Sequence, residues 1–230
     1  MKVVGIIGGM GPKATVDFVH KVISLTPAKK DQEHLKMMII MDPQIPDRTE
    51  AILNKKENPV PELVKSAKML EGAGVHFIVI PCVTAHFWLK EIENALQIPI
   101  LSLLDVTFKR VKKEGGSVKN IGILTTSGTI KAGIFDNIFC PEGYGVIFPS
   151  EAAQSRLVME GIYRIKMGEE AKGLSPYFVR ASEDLIRKGA QIIIAACTEI
   201  PLSITQADIA VPLIDVNQVL AEATVSYALH

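Results

Sequence analysis

Only three cysteines occur in 230 residues, an odd number that leaves no disulfide framework. A reducing cytoplasm is the compartment this predicts, and a functional cysteine there is a reactive thiol or a ligand rather than a staple. An excess of one charge is missing too. The 25 basic residues offset 25 acidic ones, the formal net charge is zero, and no basic tract stands out, so nucleic acid and anionic membranes are excluded as partners. Long apolar runs are absent: the longest are strand-sized, far below the ~20 residues of a membrane span. The opening residues run straight into a strand-like Val3-Val4-Gly5-Ile6-Ile7 without the layout of a signal peptide. What remains is an ordinary folded composition, 48% hydrophobic and 22% charged, long enough for one large domain or two small ones.

Strand-like and helical patterns alternate along the whole chain. Short apolar runs at 2–7, 35–41, 77–80, 98–101, 119–124, 145–148, 192–196 and 211–214 read as strands. Helical periodicity occupies 13–24, 59–72, 84–95, 104–113, 130–138, 150–166, 176–188 and 216–228. This predicts an α/β fold with mainly parallel, helix-covered sheets. The pattern also repeats. Val4-Gly5-Ile6-Ile7-Gly8-Gly9 is matched by Ile121-Gly122-Ile123-Leu124-Thr125-Thr126, and each half closes on a proline-containing strand. Two similar lobes are expected, residues 1–114 and 115–209, with a flexible connection at 112–117 and a segment of about 210–230 that returns to the first lobe.

The repeat places two cysteines at equivalent points. Gly74 is followed eight residues later by Cys82, and Gly189 eight residues later by Cys197, each across a buried-strand pattern. Both thiols are therefore expected at carboxyl ends of parallel strands, the edge where open α/β sheets bind ligands. A helix N-terminus after Cys82 would favour its thiolate, and Glu199 is a base or orienting partner for Cys197. The bland alternative is two small core hydrophobes, the commonest fate of a free cysteine. Two opposed thiols, however, suit one reaction. Inverting a stereocentre needs a proton removed from one face of a carbon and another delivered to the opposite face, and two acid/base groups on facing lobes do this without turning the substrate.

Other residues gather at the same edge. The turn Gly8-Gly9-Met10-Gly11-Pro12 allows close backbone approach to a ligand. Gly9, Gly11 and Ala14 also meet a loose G-x-G-x-x-A dinucleotide pattern with Asp42 after the next strand, but Pro12 removes an amide that pyrophosphate would need. The proline-stiffened loop 42–49 aims Arg48 towards the cleft, where a guanidinium grips a carboxylate by a planar fork; its plain alternative is a surface pair with Asp47. Cys82, His86, Cys197 and Glu199 are all conceivable zinc ligands, yet no C-x-x-C or H-x-x-x-H pair exists, and the prediction is no metal.

Taken together, Gly8-Gly9-Met10-Gly11-Pro12, Ile45-Pro46-Asp47-Arg48-Thr49, Pro81-Cys82-x-Thr84-Ala85-His86 and Ala196-Cys197-Thr198-Glu199 resemble the aspartate racemase branch of the aspartate/glutamate racemase family. The resemblance implies two pseudo-symmetric α/β lobes with the active site in the cleft between them. It also implies a reaction that needs no cofactor, pyridoxal phosphate included, and a homodimer. Cys82 and Cys197 match the acid/base pair. Arg48 matches the residue that receives the side-chain carboxylate, and Lys166, or Arg164 in its place, assists it. Met10, Thr84, Thr126, Thr129 and Thr198 match positions lining the site, with the 125–129 threonines donating to the α-carboxylate. One departure stands out: the family usually reads Cys-Asn-Thr where this chain has Cys82-Val83-Thr84. Glu199, where glutamate-specific relatives usually carry histidine, leans towards aspartate.

The expected function is thus interconversion of L- and D-aspartate, or glutamate, with a small acidic amino acid as the only partner besides a second copy. The rivals are a two-cysteine relative such as maleate isomerase or hydantoin racemase, a nucleotide-dependent oxidoreductase, and a non-catalytic amino-acid-binding protein.

Overall fold

Each half of the chain is organised around a strand buried on both faces. In the computed structural model, which describes residues 1–114, 116 and 118–230, β1 (Val4–Gly8) is buried at all five positions and β4 (Asn120–Leu124) at all but the first. Strands covered on both faces carry apolar residues continuously, as parallel sheets under helices do. β1 lies between β2 (Met37–Met41) and β3 (Phe77–Val79), parallel to both. β4 lies likewise between β5 (Gly145–Ile147) and β6 (Ile192–Ala195), and β7 (Leu213–Asp215) extends the sheet beyond β6. The strand orders are therefore 2-1-3 and 5-4-6-7. The counterpart of β7 in the first half, expected at 98–101, shrinks to a single bridge between Ile100 and Ile78.

Helices cover both sheets. The first half carries α1 (Pro12–Leu25), α2 (Arg48–Asn54), α3 (Val60–Gly72), α4 (Leu89–Glu93) and α5 (Leu103–Glu114). The second carries α6 (Ser127–Lys131), α7 (Ile134–Phe139), α8 (Glu151–Ala153), α9 (Glu160–Lys166), α10 (Ser175–Arg187) and α11 (Val216–Leu229). α1 starts with Pro12 in its first turn and buries Ala14, Thr15, Phe18 and Val22, one stripe of the helix. The carboxylate of Asp215 caps α11 by accepting from the backbone N–H groups of Asn217 and Gln218.

Three predicted helices depart from their patterns for local reasons. The helix expected at 84–95 begins instead as a tight 3-10 turn over Thr84–Trp88 before α4. Thr84, Ala85, His86 and Trp88 are all buried there, which one face of a regular helix cannot achieve. The helix expected at 130–138 breaks into α6 and α7 at Gly133, whose φ of 63° is left-handed. The helix expected at 150–166 is continuous but widens to a π-turn over Gln154–Met159. Of the flexible connection predicted at 112–117, α5 takes the residues up to Glu114, and Gly115 and Ser117 lie outside the described residues.

The apolar core has a shared centre and two flanks. The centre joins Val4, Ile6 and Phe77 to Ile121, Ile123 and Ile194 across the two sheets, closed by Leu220 and Val225 of α11. The flanks lie under the outer helices, around Leu63, Ile78 and Ile80 in one half and Phe178, Leu185 and Ile193 in the other. Of the segment 210–230, the strand β7 belongs to the second sheet and only α11 crosses to the first half. There it packs on α1 and α5, its Ala228 carbonyl accepts from Lys2 N–H at 2.9 Å, and Tyr227 meets Phe77 edge-on.

Candidate active site

The carboxyl ends of β3 and β6 deliver Cys82 and Cys197 to one chamber. Both residues are 6% exposed, and both line an inner space of about 20 Å³. That is room for a single water-sized guest, so an amino acid enters only if the walls part. An outer cavity of about 470 Å³ adjoins the chamber, and the two share Asp47, Arg48, Lys166 and Glu199 as walls. The outer walls are the turn Gly9, Gly11 and Pro12 with Pro43, Ile45 and Ile165, largely apolar. Lys13 reaches across the mouth from α1 and donates to the carbonyls of Gly168 and Glu169, both at 3.1 Å, beyond the end of α9.

The two cysteines stand in different settings. Cys197 donates its thiol hydrogen to Glu199 Oε2 at 3.0 Å. Burial, followed by the negative charge of Glu199, pushes this thiol well above its ordinary pKa, and the Lys166 cation only partly offsets them. Cys197 is therefore a thiol at rest. Glu199 itself is 2% exposed, and its Oε1 has no partner among the described residues. Burial acts to lower the pKa of Lys166, but the charges of Glu199, Cys197 and Asp47 outweigh it against the opposing Arg48, and the net shift is upward. Lys166 keeps an exposed surface at the cavity mouth, so water screens these interactions.

Arg48 opens α2 and is 7% exposed. It does not pair with Asp47. Its Nη1 donates to the carbonyls of Ile45 and Pro46, both at 3.0 Å, which tethers the guanidinium and leaves its Nε/Nη2 edge without a partner among the described residues. Asp47 instead caps α2, its Oδ1 accepting from Glu50 N–H at 2.9 Å. The Asp47-x-x-Glu50 spacing is the sequence signal for that cap.

Three hydroxyls close a ring across the two halves. Thr84, Thr126 and Thr129 contact one another at 3.2, 2.9 and 3.0 Å, so within the ring each donates once and accepts once, and Thr126 also accepts from Thr129 N–H at 3.3 Å. Thr84 and Thr126 line the chamber and Thr129 stands behind it. Thr198, also in the wall, donates to the carbonyl of Pro81, the residue before Cys82, at 3.4 Å. Gln154, which sequence reasoning missed, supports this wall from the π-turn by donating to the carbonyl of Thr125 at 2.9 Å. A lone glutamine in a helical pattern carries no signal for such a role.

His86 fixes the backbone of Cys82. Its Nδ1 donates to the Cys82 carbonyl at 2.9 Å, and its Nε2 accepts from Leu103 N–H, at the start of α5, at 3.1 Å. Both ring nitrogens are spent, so His86 is not a free metal ligand, and the Nε2 bond requires the neutral ring. Burial lowers its pKa from 6.5 to about 4. The unfolded chain thus binds more protons between these values, and this contribution to stability, complete above pH 6.5, is lost as pH falls towards 4. The loss amounts to about 3 kcal/mol. Urea titrations between pH 7 and pH 4 should show a flatter decline for His86→Gln than for the parent chain; equal declines would contradict the clamp.

The remaining predicted site residues also take definite places. Met10 lines the chamber, as does Val83 at the position of the departure noted above. Arg164 is spent elsewhere: it grips Glu169 through Nε and Nη2 at 2.7 and 2.6 Å and donates to the Tyr177 hydroxyl, so Lys166 alone of the two stands in the wall. The dinucleotide pattern finds no open turn, because Gly9 packs directly against the Asp42 backbone. Asp42 uses its own Oδ1 to accept from Gln44 N–H.

The comparisons with known proteins agree in one direction. The sequence pattern of the family described as Asp/Glu/hydantoin racemase matches residues 7–224. The broad specificity amino-acid racemase RacX of Bacillus subtilis is 32% identical over 227 residues, 97% of this chain and 96% of that one. The aspartate racemase of Picrophilus torridus superposes with a TM-score of 0.89 at 33% identity, covering 99% and 94% of the two chains. The glutamate racemase of Francisella tularensis, at 17% identity and a TM-score of 0.70 over 99% of this chain and 81% of that one, shares the fold. This chain belongs to the Asp/Glu/hydantoin racemase family and is an amino-acid racemase.

Proposed function

We propose that the chain interconverts the L and D forms of aspartate by a two-base reaction of Cys82 and Cys197 that uses no pyridoxal phosphate. The observation that carries this reading is the common chamber: two thiols on equivalent strand ends of two similar halves face one small space. In one direction the Cys82 thiolate takes the α-proton, the C–H electron pair passes into the substrate carboxylate, and the Cys197 thiol gives its proton to the opposite face. Cys82 then holds the proton and Cys197 the negative charge, which is the starting state for the reverse reaction. The Nε/Nη2 edge of Arg48 and the Lys166 ammonium offer the positive charge that two substrate carboxylates need. A carboxylate reaching Thr84 and Thr126 would have to open the hydroxyl ring, since each hydroxyl now donates to a neighbour.

A wider substrate range is a second reading. It is favoured by the outer cavity, whose 470 Å³ exceeds what an acidic side chain fills, and by the broad specificity of the Bacillus relative. We also take the molecule to be a cytoplasmic homodimer. Its three cysteines are free, and the edge strand β2 leaves Ile39 and Met41 each 41% exposed, apolar surface that a second copy would cover. No described helix is long and apolar enough to cross a membrane.

Incubation with L-aspartate in heavy water tests the central claim. The expected product is D-aspartate carrying deuterium at Cα, with glutamate and a neutral amino acid run alongside to measure range. Absence of both inversion and Cα exchange with every amino acid tried would end the proposal.

A further inference from the structure

The chamber wall contains one buried acceptor with nothing to accept from. Glu199 Oε2 takes the Cys197 thiol, while Oε1, in a side chain 98% buried, has no partner among the described residues. Leaving a buried carboxylate oxygen bare costs free energy, and the place is specific. Oε1 faces Gly11, where a Cβ would stand only 2.9 Å away. Gly11 packs against this enclosed oxygen without a side chain, and both residues line the outer cavity, so the oxygen meets a guest when the walls part there.

No other wall group is equally suited to meet a donor. The hydroxyls of Thr84, Thr126 and Thr198 commit their hydrogens to the ring and to the Pro81 carbonyl, and as neutral oxygens they accept from a cation more weakly than a carboxylate does. Met10 and Val83 are apolar, and Arg48 and Lys166 are cations. Asp47 is the one other carboxylate in the described wall, but it is half-buried at the rim and already caps α2.

We propose that Glu199 Oε1 receives the α-ammonium group of the substrate. One carboxylate would then hold both the Cys197 thiol and the substrate nitrogen, and so set the height at which Cα meets the sulfur. With the ammonium at Oε1 and the carboxylates at Arg48 and Lys166, three of the four substituents of Cα are anchored. Only the hydrogen is left to move, which is what inversion requires. This inference rests on the amino-acid racemase reading and adds to it the residue that distinguishes an amino acid from the corresponding diacid.

Calorimetric binding of aspartate and of succinate, which is aspartate without its amine, to the parent chain, Glu199→Gln and Asp47→Asn tests it. Glu199→Gln should weaken aspartate about 10- to 100-fold while succinate changes by less than about twofold or tightens, since a charged acceptor was removed that only the amine uses. Equal weakening of both ligands overturns the proposal. So does a larger aspartate loss in Asp47→Asn, no binding of either ligand to the parent, or unchanged aspartate binding with slower turnover, which would restrict Glu199 to Cys197. Should Glu199→Gln not fold, Glu199→Asp keeps the charge, withdraws its reach and is read with the same two ligands. Failure of the racemase reading looks different: aspartate would bind the parent with the same dependence on Glu199, yet exchange no Cα hydrogen with heavy water.

Discussion

Replacing either Cys82 or Cys197 by serine is expected to lower the racemisation rate by about 10²- to 10⁴-fold, the usual contribution of one acid/base group. A serine hydroxyl is far less acidic than a thiol, so it neither forms the base at neutral pH nor gives its proton readily. The two variants should also differ from each other in a way that a general loss of structure cannot imitate. Each keeps one working sulfur on one side of the chamber. Each should therefore still exchange the α-hydrogen of one enantiomer with heavy water, and the two variants should favour opposite enantiomers. Thermal unfolding alongside checks that the packing around these buried positions survives. Parental racemisation rates in either variant would defeat the two-base proposal, and exchange confined to the same enantiomer in both would place the sulfurs on one face.

Gly9→Ala is expected to be the most destabilising exchange in the glycine turn. Gly9 has φ 95°, and an added Cβ would lie 2.4 Å from both the carbonyl carbon and the oxygen of Asp42. The backbone conformation alone costs about 1–2 kcal/mol in a residue with a side chain, and the overlap with backbone atoms adds about 1–3 kcal/mol. The sum is a large part of the roughly 5–15 kcal/mol of a typical domain. Gly74→Ala provides the contrast, since Gly74 has φ 83° but no atom within 4 Å of its would-be Cβ. Denaturant titrations should therefore place Gly9→Ala well below Gly74→Ala, and equal losses would show that the Asp42 contact does not hold the turn. The functional consequence follows from chain order. Asp42 begins the loop that carries Asp47 and Arg48 into both cavities, so a turn forced away from Asp42 displaces the cavity's cationic wall as well.

The strand–helix alternation, the repeat and the two equivalent cysteines were legible because each is written in local pattern. A strand buried on both faces must be apolar throughout, as β1 and β6 are and as β4 is after Asn120. The same reasoning failed where burial comes from all sides. Thr84–Trp88 reads as the start of a helix, yet nearly every residue there is enclosed, and the chain tightens into a 3-10 turn. The strand at 98–101 has the composition of its counterpart β7 but makes only one bridge, because pairing depends on a neighbour that its own residues do not encode.

By itself, the sequence determined the parallel α/β class and the family, and it brought Cys82, Cys197, Arg48 and Glu199 to notice, since residue type and spacing carry those. Only the tertiary structure decided that Arg48 is tethered by two carbonyls rather than paired with Asp47, that Thr84 joins Thr126 and Thr129 in one ring, and that His86 clamps Cys82 to α5. It alone left Glu199 Oε1 bare beside Gly11. The reason is physical: a hydrogen bond between residues far apart in the chain depends on distance and angle, which are settled only when the two sheets pack around their shared core.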